Sequence, residues 1–333
     1  MTRVAVLDDY AGAAMRLADW PPGCEVTVFR DGVTDPAALI ERLRPFEVVC
    51  VMRERTPLPA QIINALPSLR LIVTTGARNL SIDVAAAHAR GIVVSGTESR
   101  GSTTAEFVMA LMLALSRRIP VEANSAAQGG WQSGLGRDLS GQVLGIAGYG
   151  RIGRMVARLA RPFGLRVLAW SRSLTAEGAA ACGVDHVPDL PALLGASDIV
   201  SVHLVLSEET RGLFGAAQFA AMRPDTLFLN TSRGPIVQTD ALLDALRSGH
   251  LGGAALDVHD VEPLPAGADI IDAELISQGR LLVTPHLGYV SEQTFAMFYR
   301  QSAEAVAAWL KGAPIRLLTP GPQPAPESPQ GNN

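Results

Sequence analysis

The stretch Val143-Leu144-Gly145-Ile146-Ala147-Gly148-Tyr149-Gly150-Arg151-Ile152-Gly153 decides how this chain is read. An apolar strand pattern, Val143–Ala147, runs directly into G-x-G-x-x-G, and a helical pattern from Arg151 to Phe163 follows at once. In that setting each glycine has a physical task. Gly148 permits the tight turn, Gly150 lets a pyrophosphate approach the backbone, and Gly153 lets the helix pack closely on the strand. The helix N-terminus, opening with Arg151 and Ile152, then faces phosphate. A dinucleotide-binding loop is the expected result, although the same glycines also occur in nucleotide-dependent methyltransferases.

Working outward, five short β-branched runs precede this loop, near Val4–Leu7, Glu25–Phe29, Val48–Met52, Leu71–Thr74 and Val93–Ser95, with helical patterns between them. Such alternation predicts a parallel sheet covered by helices. A longer helix is expected from Thr103, where Thr103 and Glu106 have capping-box spacing, and Gln128 to Gly136 reads as a loop. From Val143 onward strands are expected at 143–147, 166–170, 199–202, 227–229, 254–257 and 281–284, six in all, enough for one complete dinucleotide-binding sheet. A last helical pattern covers Ser291 to Lys311, and the tail from Thr319 is rich in Pro, Gln, Gly and Ser, which predicts disorder.

Composition bounds the rest. A length of 333 residues corresponds to about two domains. With 48% hydrophobic and 18% charged residues the composition is globular, and 28 basic against 32 acidic side chains give a formal charge of −4. No block of like charge could track a phosphate backbone, so neither nucleic acid nor an anionic membrane is an expected partner. Lys311 is the only lysine, which all but removes Schiff-base, P-loop and lysine-base chemistry and leaves anion recognition to arginine. Cys24, Cys50 and Cys182 are far apart, which argues against a zinc site or a disulfide framework, so no metal is expected. The longest apolar run, Phe107 to Leu115, is too short to span a bilayer. A cytoplasmic protein is expected.

A site selecting NAD usually has a carboxylate at the end of the second strand, to hold the ribose hydroxyls. Here that strand ends Trp170-Ser171-Arg172-Ser173. Ser171 and Arg172 suit a 2′-phosphate better, so NAD(P) leaning toward NADP(H) is the expected cofactor.

Three later segments set polar residues at strand ends: Asn230-Thr231-Ser232-Arg233-Gly234-Pro235, Asp257-Val258-His259-Asp260-Val261-Glu262-Pro263-Leu264-Pro265 and Thr284-Pro285-His286-Leu287-Gly288-Tyr289. Arginine, glutamate and histidine in such places are what reduction of a 2-oxo acid requires. The arginine binds the carboxylate and polarises the ketone, the histidine donates a proton, and the glutamate keeps the histidine protonated.

Together with the glycine loop, and in this order, these segments closely resemble the D-isomer-specific 2-hydroxyacid dehydrogenase family over about Val48 to Ala313. The resemblance implies a catalytic set of Arg233, Glu262 and His286. It implies cofactor contacts from Thr104, His203, Thr210, Thr231, Ser232 and Gly288, with Asp257 at the nicotinamide carboxamide. It also implies substrate contacts from Arg53, from the backbone amides of Thr75-Gly76-Ala77, and from Arg233 and His286. The implied fold is α/β with two doubly wound parallel-sheet domains, a Rossmann nucleotide domain (residues 101–288) inserted into a flavodoxin-like substrate domain (1–100 plus 289–318), ahead of a tail at 319–333. Catalysis would occur in the cleft, closed by hinge motion, in a homodimer.

NAD-linked members carry an acidic residue where this chain has Ser171, and Val205 replaces a proline often found after His203-Leu204. A different class of function stays open on the same scaffold, a dinucleotide-sensing corepressor without turnover, since such proteins retain the same three residues.

Overall fold

The computed structural model describes residues 1–319; most of the tail expected at 319–333 lies outside the described residues. The chain divides into two compact units, Met1–Ser99 with the chain from Ser291 onward, and Arg100–Val290.

The first unit holds five parallel strands, β1 (Thr2–Val6), β2 (Cys24–Val28), β3 (Val48–Val51), β4 (Leu71–Thr74) and β5 (Val93–Gly96), in the order β2-β1-β3-β4-β5. This is the doubly wound order of flavodoxin-like sheets. The central strands β3 and β4 are buried throughout, which explains their unbroken apolar runs. After the Glu292–Leu310 helix, capped by the Ser291 hydroxyl at the Thr294 amide, the chain returns to β5: the Gly96 amide donates to the Arg316 carbonyl and the Leu318 amide to the Val94 carbonyl, at 2.9 and 2.8 Å.

The second unit holds seven parallel strands, β6 (Val143–Ala147), β7 (Arg166–Trp170), β8 (Asp185–His186), β9 (Ile199–Val202), β10 (Leu227–Asn230), β11 (Gly253–Leu256) and β12 (Leu281–Val283), in the order β12-β11-β10-β9-β6-β7-β8. Six strands were expected. The seventh, β8, is two polar residues paired to Leu168 and Ala169 at the sheet edge, and an edge of that kind carries no apolar run to read. The direction of strand addition reverses between β6 and β9, so the carboxyl ends of these strands flank a ligand crevice. Phe219 and Phe214 both pack on Phe228, with ring centroids 5.3 Å apart in each pair, and anchor β10 beneath the loop that carries Arg233.

The long helix starts at Gly101 rather than Thr103, with Arg100 as its N-cap and no side-chain cap. Packing overrides the capping-box signal. Gly101 is buried where a Cβ would lie 3.1 Å from Ile152 and 3.2 Å from Met155 on the Arg151–Ala160 helix, so the missing side chain lets the two helices approach.

Candidate active site

The glycine loop leaves β6 as expected. Gly148 has φ +104°, its amide donates to the Trp170 carbonyl at 2.8 Å, and a Cβ there would lie 2.6 Å from the His203 carbonyl carbon. Only glycine fits that turn. A methyl at Gly153 would collide with the Gly148 carbonyl, whereas one at Gly150 would meet nothing within 4 Å among the described residues. Gly150 is the N-cap of the Arg151–Ala160 helix, so open space lies beside a backbone whose first-turn amides lack intrahelical acceptors. Ile152 is partly buried in the core while Arg151 is exposed.

Around this loop the expected cofactor residues fall into distinct roles. Among the described residues Thr231 Oγ1 is buried without a hydrogen-bond partner, an orphan that a bound ligand would satisfy. Ser232 is already engaged, its hydroxyl donating to the Leu204 carbonyl and its amide to Asn230 Oδ1. Thr210 is spent inside its own loop: Oγ1 accepts from the Ser207 amide at 2.8 Å and donates to the Val205 carbonyl at 2.7 Å. His203 Nε2 lies 2.9 Å from the Ser201 hydroxyl, and burial pushes its pKa down to about 4, so the ring is neutral at pH 7. Arg172 forms an ion pair with Glu209, which sits in the loop after β9. The orphaned threonine and the open space beside Gly150 fit a dinucleotide.

The three polar segments come together as one assembly. His286 Nδ1 and Glu262 Oε2 are 2.6 Å apart, with both side chains about one-fifth exposed. Glu262 Oε1 accepts the His259 amide at 2.9 Å, and His259 Nε2 in turn reaches the Thr284 carbonyl at 2.9 Å, two residues before His286. His259, which the sequence reading passed over, thus ties the glutamate loop to the histidine loop. A side chain at Gly234 would collide with the His259 backbone, so the arginine loop lies directly against the glutamate loop. Arg233 is partly buried and donates from Nη1 to the Ser232 carbonyl at 2.7 Å. Asn230, also passed over, fixes that bend by accepting from the Ser232 amide and donating to the Arg233 carbonyl, both at 3.0 Å. His286 has φ +55°, a strained conformation for a side chain of this size, and its ring meets Tyr289 edge-on at 5.3 Å.

Asp257, expected at the nicotinamide carboxamide, lies at the base of the histidine loop. Its carboxylate is fully buried and accepts Thr284 Oγ1 at 2.6 Å, the Leu287 amide at 2.7 Å and the Gly288 amide at 2.8 Å. It therefore holds the histidine loop from beneath. Burial raises its pKa, against the opposing pull of these donors and the His286 charge. Gly288 spends its amide on this carboxylate, and its α-carbon faces the Thr104 methyl.

In the first unit, the expected substrate loop is partly committed to the protein itself. The Thr75 amide donates to the Val51 carbonyl at 3.1 Å and the Gly76 amide to Thr97 Oγ1 at 2.7 Å, so two of the three expected amides are used. The Ala77 amide makes no such bond among the described residues. Arg53, with φ +54°, donates its amide to Thr75 Oγ1 at 2.8 Å and lays its guanidinium against Gly76.

The chain as a whole has counterparts among known proteins. The family model for the D-isomer specific 2-hydroxyacid dehydrogenase NAD binding domain matches residues 109–288. The chain belongs to the D-isomer-specific 2-hydroxyacid dehydrogenase family. Across 85% of its length it is 33% identical to a glycerate dehydrogenase of Methylorubrum extorquens, covering 88% of that protein. A glyoxylate reductase of Korarchaeum cryptofilum is 35% identical over 82% of both chains. Among solved structures, a phosphoglycerate oxidoreductase from Vibrio cholerae O395 superposes with a TM-score of 0.86 at 35% identity, over 94% of this chain and all of the other. As a member of this family the protein is an oxidoreductase with a nicotinamide-dinucleotide domain.

Proposed function

We propose that this dehydrogenase reduces a small 2-oxo acid to its D-2-hydroxy acid, with Arg233, Glu262 and His286 as the catalytic set. The observation that carries the proposal is the 2.6 Å contact between His286 Nδ1 and Glu262 Oε2. With Nδ1 engaged, Nε2 is the nitrogen that passes a proton to the developing alkoxide, and the carboxylate stabilises the charged imidazole beforehand. Arg233 binds the substrate carboxylate through its planar fork and draws charge from the ketone. When bound at the glycine loop, the nicotinamide cofactor supplies the hydride. Thr231, Gly148, Gly150, Ile152 and Gly153 would hold it, with Ser171 and Arg172 at the adenosine ribose.

In the first unit, Arg53 and the Ala77 amide are the proposed substrate contacts, and Arg53→Ala is expected to raise KM for the 2-oxo acid. The corepressor alternative draws no support from the named relatives, which are oxidoreductases by name. A panel of glyoxylate, hydroxypyruvate and pyruvate with NADH and NADPH, followed by nicotinamide absorbance, tests the proposal. Consumption on at least one substrate is expected, and silence across the panel with tight cofactor binding would favour a sensor.

A further inference from the structure

The end of β7 lacks the carboxylate that usually receives the ribose hydroxyls, yet a carboxylate stands there all the same. Arg172 follows β7, on one side of β6, and Glu209 lies in the loop after β9, on the other side. Their ion pair joins the two loops across the carboxyl end of β6. Both loops also touch Gly148, one through the Trp170 carbonyl and the other through the backbone of His203. The two segments that the pair joins are thus the ones that flank Gly148, the first glycine of the loop.

Glu209 is delivered by a tied segment. The adjoining Thr210 is buried and closes the turn through the Ser207 amide and the Val205 carbonyl, and the Gly212 amide donates to the Pro235 carbonyl at 2.8 Å. The pair itself is open to water, with Arg172 and Glu209 side chains 65% and 70% exposed. A ligand group can reach it and compete for either partner.

We propose that Glu209 supplies from the β9 loop the acidic group missing from β7, and that it sets cofactor choice by opposing a 2′-phosphate at Arg172. The inference rests on the reading above that Ser171 and Arg172 face the adenosine ribose. A 2′-hydroxyl can donate to the Glu209 carboxylate while Arg172 stays paired. A 2′-phosphate must take the guanidinium away from Glu209 and then sit beside that negative charge. Glu209, 37 positions further along the chain than Arg172, thereby offsets the preference for NADP(H) that Ser171 and Arg172 alone would give.

Because exposed ion pairs contribute little, about fivefold at most in an equilibrium constant, the expected effect is modest but measurable. Dissociation constants for NADH and NADPH are measured by nicotinamide fluorescence, without substrate, for wild type, Glu209→Gln and Arg172→Gln. In Glu209→Gln the ratio Kd(NADH)/Kd(NADPH) is expected to rise about fivefold. A rise of threefold or more supports the proposal, and a smaller one overturns it. Arg172→Gln separates the two ways of failing. If it lowers the ratio while Glu209→Gln does nothing, the ribose reading stands and Glu209 is not the determinant; if neither variant moves the ratio, the ribose reading falls and the proposal with it.

Discussion

Replacing Glu262 by glutamine keeps the shape of the side chain but removes its negative charge and one of its two acceptor oxygens. Two donors converge on the carboxylate: the His259 amide on Oε1 at 2.9 Å and the His286 ring on Oε2 at 2.6 Å. A glutamine offers one acceptor and one donor group, so it can satisfy only one of them. If its oxygen turns to His286, its NH2 confronts the His259 amide and leaves a mostly buried donor unpaired, at a cost of about 1–3 kcal/mol. The cheaper orientation gives the oxygen to His259 and turns the NH2 toward His286 Nδ1. The imidazole then accepts at Nδ1 and is held neutral, with its proton on Nε2, and a neutral imidazole is a far poorer acid than an imidazolium. General acid catalysis contributes roughly 10²- to 10⁴-fold. Glu262→Gln is therefore expected to lower kcat for 2-oxo acid reduction by about 10²- to 10³-fold, or about 3–4 kcal/mol in the barrier. Single-turnover nicotinamide absorbance reads this directly, with cofactor affinity measured alongside. A kcat within threefold of wild type would refute the assignment of Glu262 as the group that charges His286.

Other variants test separate parts of the site. His203→Gln should flatten the acid side of the stability profile: with the folded pKa near 4 against 6.5 unperturbed, the neutral ring contributes stability above pH 6.5 that is lost as pH falls to 4, up to about 3 kcal/mol. Urea midpoints at pH 7 and pH 4 check this, and equal losses in both proteins would count against it. Gly153→Ala drives a methyl into the Gly148 carbonyl; a destabilisation of about 1–3 kcal/mol and weaker binding of both nicotinamide cofactors should follow, and calorimetry showing neither would contradict the close helix–strand packing. His259→Phe keeps a ring but removes the link to the Thr284 carbonyl; stability should fall by about 1 kcal/mol and kcat by about tenfold through lost alignment, with KM little changed, whereas a selective rise in KM would place His259 in substrate binding instead.

The sheets were legible because their strands are buried on both faces: β3, β4 and β10 appear in the sequence as apolar runs, and β9 as one broken only by Ser201. β8 was not legible, since a two-residue polar edge strand has no such signature. Local capping chemistry misplaced the start of the Gly101–Ser116 helix, which is decided by a contact with Ile152 and Met155, far along the chain. The glycine loop could be assigned glycine by glycine because each spacing has its own steric reason. What sequence could not supply was the partner of each polar group. The sequence does not show that the Asp257 carboxylate takes three donors from the Thr284–Gly288 loop, nor that Glu209 stands beside Arg172. His259 and Asn230 lie inside the quoted segments without an assigned role; that of Asn230 is the bend at Ser232–Arg233, and that of His259 appears only when residues 257–265 and 284–289 are brought into contact.

The most direct test of the account is the reduction rate of His286→Ala beside wild type on the best 2-oxo acid, in preparations shown by fluorescence titration to bind cofactor equally. The account predicts a loss of at least about 10²-fold in kcat. Turnover retained within threefold on every substrate would contradict it.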